Sequence, residues 1–254
     1  MIDIAPRESA SSWLSLIETT PSLVFDSDIC RGQWSALRNA LPGVELYYAV
    51  KSNPYSGLLQ TIFEANGHFD VASAAEIRML EQLGVSPSRM IHTHPIKTEL
   101  EIEKAVAFGV TTFVVDNVDE LWKLIPYRHF IRVMLRLSFI APDAPIDLSK
   151  KFGAPPPDAL SLLAVANDSG IRVDGLCFHV GSQAASANTH ADALSFCIGL
   201  SRQVQLEELT PIVRIDIGGG FPAHYLGEPV DLETFCAPIR NVLSEVPKGI
   251  EIMA

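Results

Sequence analysis

Short apolar runs alternate with helical patterns along most of the chain, and this alternation constrains the fold more than any other feature. The runs are rich in Val, Ile, Phe and Tyr and lie at residues 45–50, 69–73, 90–93, 112–116, 131–138, 173–180, 212–217 and 250–254. Helical patterns lie between them, near 56–66, 74–83, 98–108, 118–125, 158–169, 188–208 and 232–246. Because most runs are continuously apolar, they favour parallel strands covered by helices. Eight strands with seven intervening helices predict an α/β protein with a TIM-like (β/α)8 barrel.

The first 26 residues lie outside this alternation. A helical pattern near 7–19 is followed by a short apolar run at Ser22–Asp26, which precedes the barrel. We predict that residues 1–26 form an N-terminal helix and an orphan strand belonging to another, β-rich domain. Residues 27–254 are predicted to form the barrel, with a long proline-containing loop after its fifth strand.

Charge and composition argue against several classes of function. The 254 residues carry 30 Asp and Glu against 19 Lys and Arg, a formal net charge of −11. Phosphate backbones and anionic lipids repel such a chain, so we expect neither nucleic acid nor membrane as a partner. The N-terminus shows no secretory signal, and no window approaches the roughly 18 apolar residues of a membrane span. The four cysteines are scattered without a C-x-x-C pair, which favours reduced thiols and a cytoplasmic location.

The ends of the predicted strands carry the residues that could do chemistry, because barrels of this type place their active sites there. Strand one ends at Lys51, where a partly desolvated amine could form a Schiff base. Alternatively, the stem of Lys51 could pack while its ammonium group reaches water. Strand six ends near His179, which could be either a catalytic group or a satisfied core histidine.

Strand seven runs into three consecutive glycines, Gly218, Gly219 and Gly220. Glycines expose backbone N–H groups and allow a ligand to approach the chain closely. The loops after strands seven and eight are a common phosphate site in barrels. The glycine run therefore predicts a phosphate cradle, although glycine-rich turns without ligands also exist.

Two other groups of polar residues offer weaker candidates. His92 and His94 could share a face and hold a metal, but no clustered carboxylate or cysteine completes a site, so no metal is predicted. Asp116, Asp119 and Glu120 are interpreted as helix caps and solvated charges.

Taken together, the strand ends resemble those of the fold-type III PLP-dependent decarboxylases, the family of ornithine, diaminopimelate and arginine decarboxylases. The resemblance covers residues 20–254 and rests on three motifs in the same order, at residues 48–53 (YAVKSN), 178–183 (FHVGSQ) and 216–222 (DIGGGFP). It implies an alanine racemase-like barrel with pyridoxal 5'-phosphate (PLP) as cofactor. It also implies decarboxylation of an amino acid, favouring a basic diamino acid such as ornithine or lysine, and a homodimer in the full-length form.

The resemblance further implies roles for single residues. Lys51 would carry the cofactor as an internal aldimine and His179 would stack on the pyridine ring, so these two are the catalytic candidates. The cofactor-binding candidates besides them are Asp70, Ala72, Arg136, Ser182, Gly218, Gly219 and Gly220. Glu76 belongs to the same second-strand motif as Asp70, and residues 151–153 (KFG) match a run in the loop after strand five.

The sequence departs from the family pattern after strand eight, where a Glu-Pro-Gly-Arg segment and a second β domain would follow Ala254. We therefore expect a barrel truncated after strand eight, an incomplete form with little decarboxylase activity alone. Exposed apolar surface is expected along strand eight and at Leu23–Phe25.

Three alternatives remain open at this point. The chain could be a non-catalytic single-domain PLP-binding protein of the homeostasis type, although those usually carry a Ser-x-Gly-Met-Ser-x-Asp phosphate loop. It could be an alanine racemase-like enzyme, which also needs a second domain. It could also be a cofactor-free barrel that regulates a full-length relative.

Overall fold

Nine short parallel strands surround a common axis in the computed structural model, which describes residues 19–140, 149–224 and 230–254. Neighbouring strands pair in the order β1-β9-β8-β7-β6-β5-β4-β3-β2. Their bounds are β1 Val44–Glu45, β2 Tyr47–Ala49, β3 His68–Val71, β4 Met90–His92, β5 Thr112–Val115, β6 Arg132–Leu137, β7 Val173–Phe178, β8 Arg214–Asp216 and β9 Glu251–Met253. Each predicted strand is found within two residues of these bounds.

The first two strands are halves of one strand interrupted at Leu46, and together they close the barrel. β1 pairs with β9, whereas β2 pairs with β3 on the other side. Across the junction Tyr47 N donates to Ala254 O at 2.7 Å, and Ala254 N donates to Glu45 O at 3.0 Å. The nine segments therefore correspond to the eight strands of a closed barrel, and the predicted (β/α)8 barrel is confirmed.

Helices cover the outside of the barrel between successive strands. In the described residues they are α1 Ser27–Ala40, α2 Ser56–Glu64, α3 Ala74–Gln82, α4 Glu99–Phe108, α5 Val118–Lys123, α6 Ala159–Asp168, α7 Asn188–Leu206, α8 Leu232–Phe235 and α9 Ala237–Leu243. The predicted helix at 232–246 is broken in two near Pro238, which lacks the N–H that an uninterrupted helix needs.

Sequence reasoning missed α1. Asp26 caps this helix by accepting hydrogen bonds from the backbone N–H groups of Asp28 and Ile29. Its partly buried Cys30, Trp34 and Leu37 have helical spacing and pack on the core. The capping aspartate followed by this spacing is the signal that could have identified the helix.

The predicted orphan strand at Ser22–Asp26 pairs with no strand in the described part of the chain. Leu23 is fully exposed there and Val24 is half exposed, so the expected apolar surface is present at these two residues, whereas Phe25 is partly buried. The expectation of apolar surface along strand eight was wrong, because β9 pairs on both sides and its Ile252 and Met253 are buried. The helix predicted near 7–19 lies outside the described residues, except for Thr19. The assignment of residues 1–26 to another domain stays a prediction.

Apolar side chains form two layers because successive strand residues point to opposite faces. A small cluster fills the inside of the barrel, made of Ile91, Val114, Met134, Cys177 and Met253. A much larger cluster lies between the strands and the surrounding helices. This packing fixes the strand ends on which the candidate site is built. Over the ranges described above, no helix is long and apolar enough to span a bilayer.

Candidate active site

Lys51 and Asp70 meet at the C-terminal end of the barrel. Lys51 lies in a single 3-10 turn, Val50–Ser52, directly after β2, and Asp70 lies in the neighbouring strand β3. The Lys51 Nζ atom is 3.3 Å from Asp70 Oδ2. The lysine side chain is half exposed while the aspartate side chain is largely buried. The amine is therefore held by a fixed carboxylate and remains accessible from solvent.

The supports of this pair come from the same edge of the barrel. The Thr93 hydroxyl donates to Asp70 Oδ1, which leaves Oδ2 for the lysine. Next along the chain, Ala72 N donates to Glu76 Oε2 at 2.7 Å. Burial raises the pKa of the Glu76 carboxyl. Asp70, Ala72 and Glu76 thus form one connected wall beside Lys51.

His179 follows β7 directly and is joined to the glycine run after β8. Its Nδ1 atom accepts a hydrogen bond from Gly219 N at 3.1 Å. The carbonyl oxygen of Gly219 in turn lies 3.0 Å from Nε2 of His190, a fully buried residue of α7. Because a carbonyl only accepts, His190 carries its proton on Nε2. Because Nδ1 of His179 accepts, a neutral His179 carries its proton on Nε2 as well.

The pKa values of both histidines are lowered to about 4, mainly by burial. The nearby charges of Arg136 and Lys51 lower the pKa of His179 further. Both rings are therefore neutral near pH 7. The ring of His190 also stacks on Phe221, with centroids 5.2 Å apart, which fixes its plane.

Two of the three glycines in the run are sterically required. A Cβ atom on Gly218 would lie 2.1 Å from the Phe178 oxygen, and one on Gly220 would lie 2.2 Å from the Gly181 oxygen. Both residues have positive φ angles, +68° and +97°. A Cβ atom on Gly219 would instead lie 3.4 Å from the imidazole of His179. The loops after β7 and β8 thus pack backbone to backbone, and the space beside the His179 ring is free of side chains.

Only part of this run presents free backbone donors. Gly218 N donates to Asp216 Oδ1 at 2.8 Å, and Gly219 N is used by His179. Among the described residues no hydrogen bond is formed by Gly220 N, which leaves it as the available glycine donor. The expected cradle of three exposed N–H groups is therefore smaller in the structure, because two of them stabilise the loop itself.

Asp216 and Arg136 are two further ionisable residues at the C-terminal end of the barrel. Burial raises the pKa of the Asp216 carboxyl to about 6, and the nearby Asp70 charge raises it further. Arg136, on β6, opposes this shift through its positive charge, and its guanidinium lies 5.1 Å from the centroid of Phe152. Phe152 also lies under the Lys151 ammonium at 4.9 Å. The run at residues 151–153 is therefore brought to the same end of the barrel.

Ser182, the remaining predicted residue, is exposed in the loop after β7. Its neighbour Gln183 bridges to the chain after the glycine run. Gln183 Nε2 donates to Ala223 O at 3.2 Å, and Ala223 N donates to Gln183 Oε1 at 2.6 Å. The prolines at 142 and 145, predicted to mark the long loop, lie outside the described residues.

The two weaker candidates take other positions. His92 is fully buried against Phe113, and neither of its ring nitrogens has a hydrogen-bond partner in the described chain. His94 Nδ1 contacts the Ile96 oxygen at 2.6 Å. No group of three or more His, Cys, Asp or Glu side chains suited to a metal occurs within the described ranges.

The acidic residues near α5 differ from their interpretation as caps and solvated charges. Asn117 caps α5, whereas Asp116 accepts from Gly153 N at 2.9 Å. Glu120 is buried and bonded to Lys123 Nζ at 2.6 Å. The interpretation of Asp116 and Glu120 was wrong because the β4–α4 and β6–α6 loops fold over them.

Sequence reasoning missed Thr93 and His190 as residues of the site. It included Asp216 in a motif but gave its carboxyl group no role. Asp216 directly precedes the glycines, and that position was a usable signal. Thr93 ends a predicted strand, which also places it at the mouth. His190 gave no signal, because its contact with Gly219 joins two segments 29 residues apart.

This arrangement fits pyridoxal phosphate. The mouth offers a primary amine at Lys51, a neutral aromatic ring at His179 and a cation at Arg136. The side-chain-free space beside His179 and the open N–H of Gly220 suit a flat ring bearing a phosphate.

Comparisons with known proteins agree with this fit. A family model described as the pyridoxal-binding domain of pyridoxal-dependent decarboxylases matches residues 27–254. The lysine/ornithine decarboxylase of Selenomonas ruminantium is 36% identical over 228 residues, covering 89% of this chain and 58% of that protein. Antizyme inhibitor 2 of Xenopus laevis is 35% identical over 183 residues, covering 72% of this chain and 40% of that protein.

Among solved structures, lysine/ornithine decarboxylase from Vibrio vulnificus, complexed with putrescine, superimposes with a TM-score of 0.90 at 36% identity. The match covers 99% of this chain and 67% of that one. The chain spans about half the length of the curated relatives it matches.

Proposed function

The chain belongs to the pyridoxal-dependent decarboxylase family through its pyridoxal-binding domain, and from this premise we propose that it forms the cofactor site of an enzyme decarboxylating a basic amino acid. The observation that carries the proposal is the contact between Lys51 Nζ and Asp70 Oδ2 at the barrel mouth. It places a primary amine where barrels of this type place their chemistry.

Pyridoxal phosphate, when bound, supplies the electron sink that makes loss of the substrate carboxylate possible. The residues of the chain would hold and orient the cofactor. Lys51 supplies the amine that would hold the cofactor covalently, and Asp70 orients that amine. Arg136, Ser182 and Gly220 N would bind the phosphate. His179, held neutral by burial and oriented by Gly219, would cover one face of the ring.

The proposed substrate class rests on the relatives. The Selenomonas and Vibrio relatives are named lysine/ornithine decarboxylases. A basic diamino acid such as lysine or ornithine is therefore the substrate that we propose.

A PLP titration of the purified 254-residue chain, followed by visible absorbance, tests the cofactor site. We expect a saturating visible band. Borohydride should abolish this band by reducing the C=N bond to a secondary amine, and the reduced cofactor should then resist dialysis. Lys51→Ala should lose the reduced, covalently bound cofactor, whereas Lys104→Ala, an exposed lysine on α4, should behave as the parent. Equal covalent labelling of the parent and the Lys51 variant would contradict the role of Lys51.

Turnover is measured in the same samples as CO2 release from lysine and ornithine. The expectation of little activity from this chain alone stays a prediction, as do the homodimer and the cytoplasmic location. Turnover at enzymatic rates, on the order of 1 per second or more, would contradict the first of these.

A second candidate function is the regulation of a full-length relative, favoured by the similarity to antizyme inhibitor 2. The cofactor-binding function is supported instead by the grouping of three residues at the mouth. Lys51 contacts Asp70, and the charge of Lys51 lies near enough to His179 to lower its pKa. The same titration separates the two, because a regulator that has lost its cofactor would show no saturable band.

A further inference from the structure

Four arginines line one cavity at the N-terminal end of the barrel, opposite the mouth. The cavity has a volume of about 520 Å³ and is lined by Arg128, Arg132, Arg172 and Arg214, among others. We call it the arginine pocket. Arg132 and Arg214 begin β6 and β8, whereas the candidate active site lies where the strands end. The chain thus concentrates positive charge at one place despite its net charge of −11.

One buried carboxylate lies among these arginines. Asp174 is fully buried, and its Oδ2 atom is 2.9 Å from Arg172 Nε. The Nε atoms of Arg214 and Arg132 are more distant, 3.8 and 3.9 Å from the nearer Asp174 oxygen. A single carboxylate therefore faces three guanidinium groups, and Arg128 adds a fourth whose bond goes to the neutral Ile125 carbonyl.

Other acidic groups lie near the pocket without pairing with its arginines. Glu45 and Glu251 lie close enough to Tyr47, at the edge of the pocket, to contribute to a pKa that burial raises to about 12. Glu45 has His68 as its own partner, at 3.5 Å. Within the described residues neither glutamate reaches ion-pair distance of the four arginines. Asp216 also contributes to the pKa of Tyr47, but among these acidic groups only Asp174 lies within ion-pair distance of the arginines.

The backbone makes room for one of these cations inside the barrel. A Cβ atom on Gly175 would lie 2.6 Å from Arg214 Cγ and 2.7 Å from Met134 Cγ. Only glycine at this position lets the arginine stem lie there. The Arg214 side chain is 11% exposed, and neither its buried Nε nor the two oxygens of Asp174 have a hydrogen-bond partner in the described chain. The Nε atom of Arg214 lies 3.8 Å from Asp174 Oδ1, too far for a hydrogen bond, so this donor is available to another acceptor.

We propose that the arginine pocket binds a small organic phosphate. Guanidinium groups recognise phosphate through paired hydrogen bonds, and converging arginines are the usual arrangement for such recognition. The volume is within the range of small-molecule sites. Phe130, which is 72% exposed, together with Met90 and Ile91, supplies apolar wall for the organic part of the ligand.

Isothermal titration of ADP and of inorganic pyrophosphate into the PLP-loaded chain tests this site. The loaded chain is first reduced with borohydride, which fixes the cofactor on Lys51, and then dialysed. The mouth is then filled while the arginine pocket is free of PLP, which is itself a small organic phosphate. We expect one saturable site in the parent and at least tenfold weaker binding in Arg132→Gln/Arg172→Gln. The control Arg78→Gln/Arg202→Gln, with exposed arginines on α3 and α7, should bind as the parent.

A second variant is needed in case the double variant fails to fold, because the double variant removes two partners of the buried Asp174. Arg128→Gln leaves every Asp174 contact in place and should still weaken ADP binding severalfold. Absence of saturable binding in the parent, or equal affinities for the parent and Arg128→Gln, would overturn the proposal. If the chain fails to take up PLP, the same titrations on the cofactor-free chain still decide the question, since they compare arginine variants at the opposite end of the barrel.

Discussion

Gly219 N donates a hydrogen bond to Nδ1 of His179 across 3.1 Å, joining two motifs that lie 40 residues apart in the chain. The bond ties the loop after β7 to the loop after β8 and selects the His179 form that carries its proton on Nε2. The histidine and the glycine run therefore act as one unit, and neither can be changed without affecting the other.

The glycines of this unit are expected to differ in their sensitivity to alanine. Gly218→Ala would place a Cβ atom 2.1 Å from the Phe178 oxygen at a positive φ, so it should destabilise the fold by about 2 kcal/mol or more. Gly219→Ala meets only the His179 ring, at 3.4 Å, and should preserve the melting temperature while weakening PLP binding. Thermal melts and PLP titrations of both variants check this. Equal losses of stability in the two variants would contradict the steric argument.

His190 is expected to position the glycine run through the Gly219 carbonyl. His190→Phe keeps an aromatic ring to stack on Phe221 but removes the donor that faces this carbonyl. Loss of a buried hydrogen bond of about 1–1.5 kcal/mol should weaken PLP binding roughly tenfold. His190→Gln, which retains a donor, should recover part of the affinity. No change in the PLP dissociation constant of the phenylalanine variant would exclude a positioning role.

Acid should destabilise the chain through its buried histidines. Burial lowers the pKa of His92 to about 3 and those of His179 and His190 to about 4, from an ordinary 6.5. Between pH 6.5 and 4 the unfolded chain binds protons at these residues and the folded chain does not. Their stabilising contribution is therefore complete above pH 6.5 and is lost as the pH falls. Asp216, with a folded pKa of about 6, works in the opposite direction.

Urea unfolding at pH 7 and pH 5 measures this effect. From the shifted pKa of His190 alone, the loss of stability over this interval should be about 2 kcal/mol smaller in His190→Phe than in the parent. Comparing the change with pH, and not the stability itself, removes the cost of the lost hydrogen bond. The same loss in both chains would show that His190 titrates normally in the folded state.

Lys97 is expected to be a buried structural cation. Its Nζ donates to the carbonyl oxygens of residues 94, 95 and 114, at 3.0, 2.8 and 2.6 Å, and Glu120 lies 4.0 Å away. Burial lowers the pKa of this lysine to about 8. Lys97→Met should cost about 3–5 kcal/mol, because three carbonyls lose their donor and the buried Glu120 carboxylate loses one of its two cations. Lys123→Met provides the matched control.

The control lysine also contacts Glu120, at 2.6 Å, but its side chain is 31% exposed. Water can replace part of what Lys123 provides, so its loss should cost less than half as much. Denaturant unfolding of the two variants measures the difference. A Lys97→Met chain as stable as Lys123→Met would show that the buried cation contributes little.

The order of strands and helices, and hence the barrel, followed from the sequence because hydrophobic periodicity is a local property. Lys51, His179 and the glycine run were found for the same reason, since each ends a recognisable strand. The helix Ser27–Ala40 was missed although its capping Asp26 is a local signal. The site assignments themselves stay predictions until the cofactor titration is done.

Only the tertiary structure decided the contacts between segments that are distant in the sequence. The amides of Gly218 and Gly219 looked like free phosphate donors, but Asp216 and His179 use them once β7 and β8 lie side by side. Glu120 looked solvated until the loop carrying Lys97 covered it. The arginine pocket was not visible either, because Arg132 and Arg214 begin separate strands, Arg128 and Arg172 precede β6 and β7, and the four meet only when the barrel closes. Periodicity determines which face a residue occupies, whereas packing determines which residues share that face.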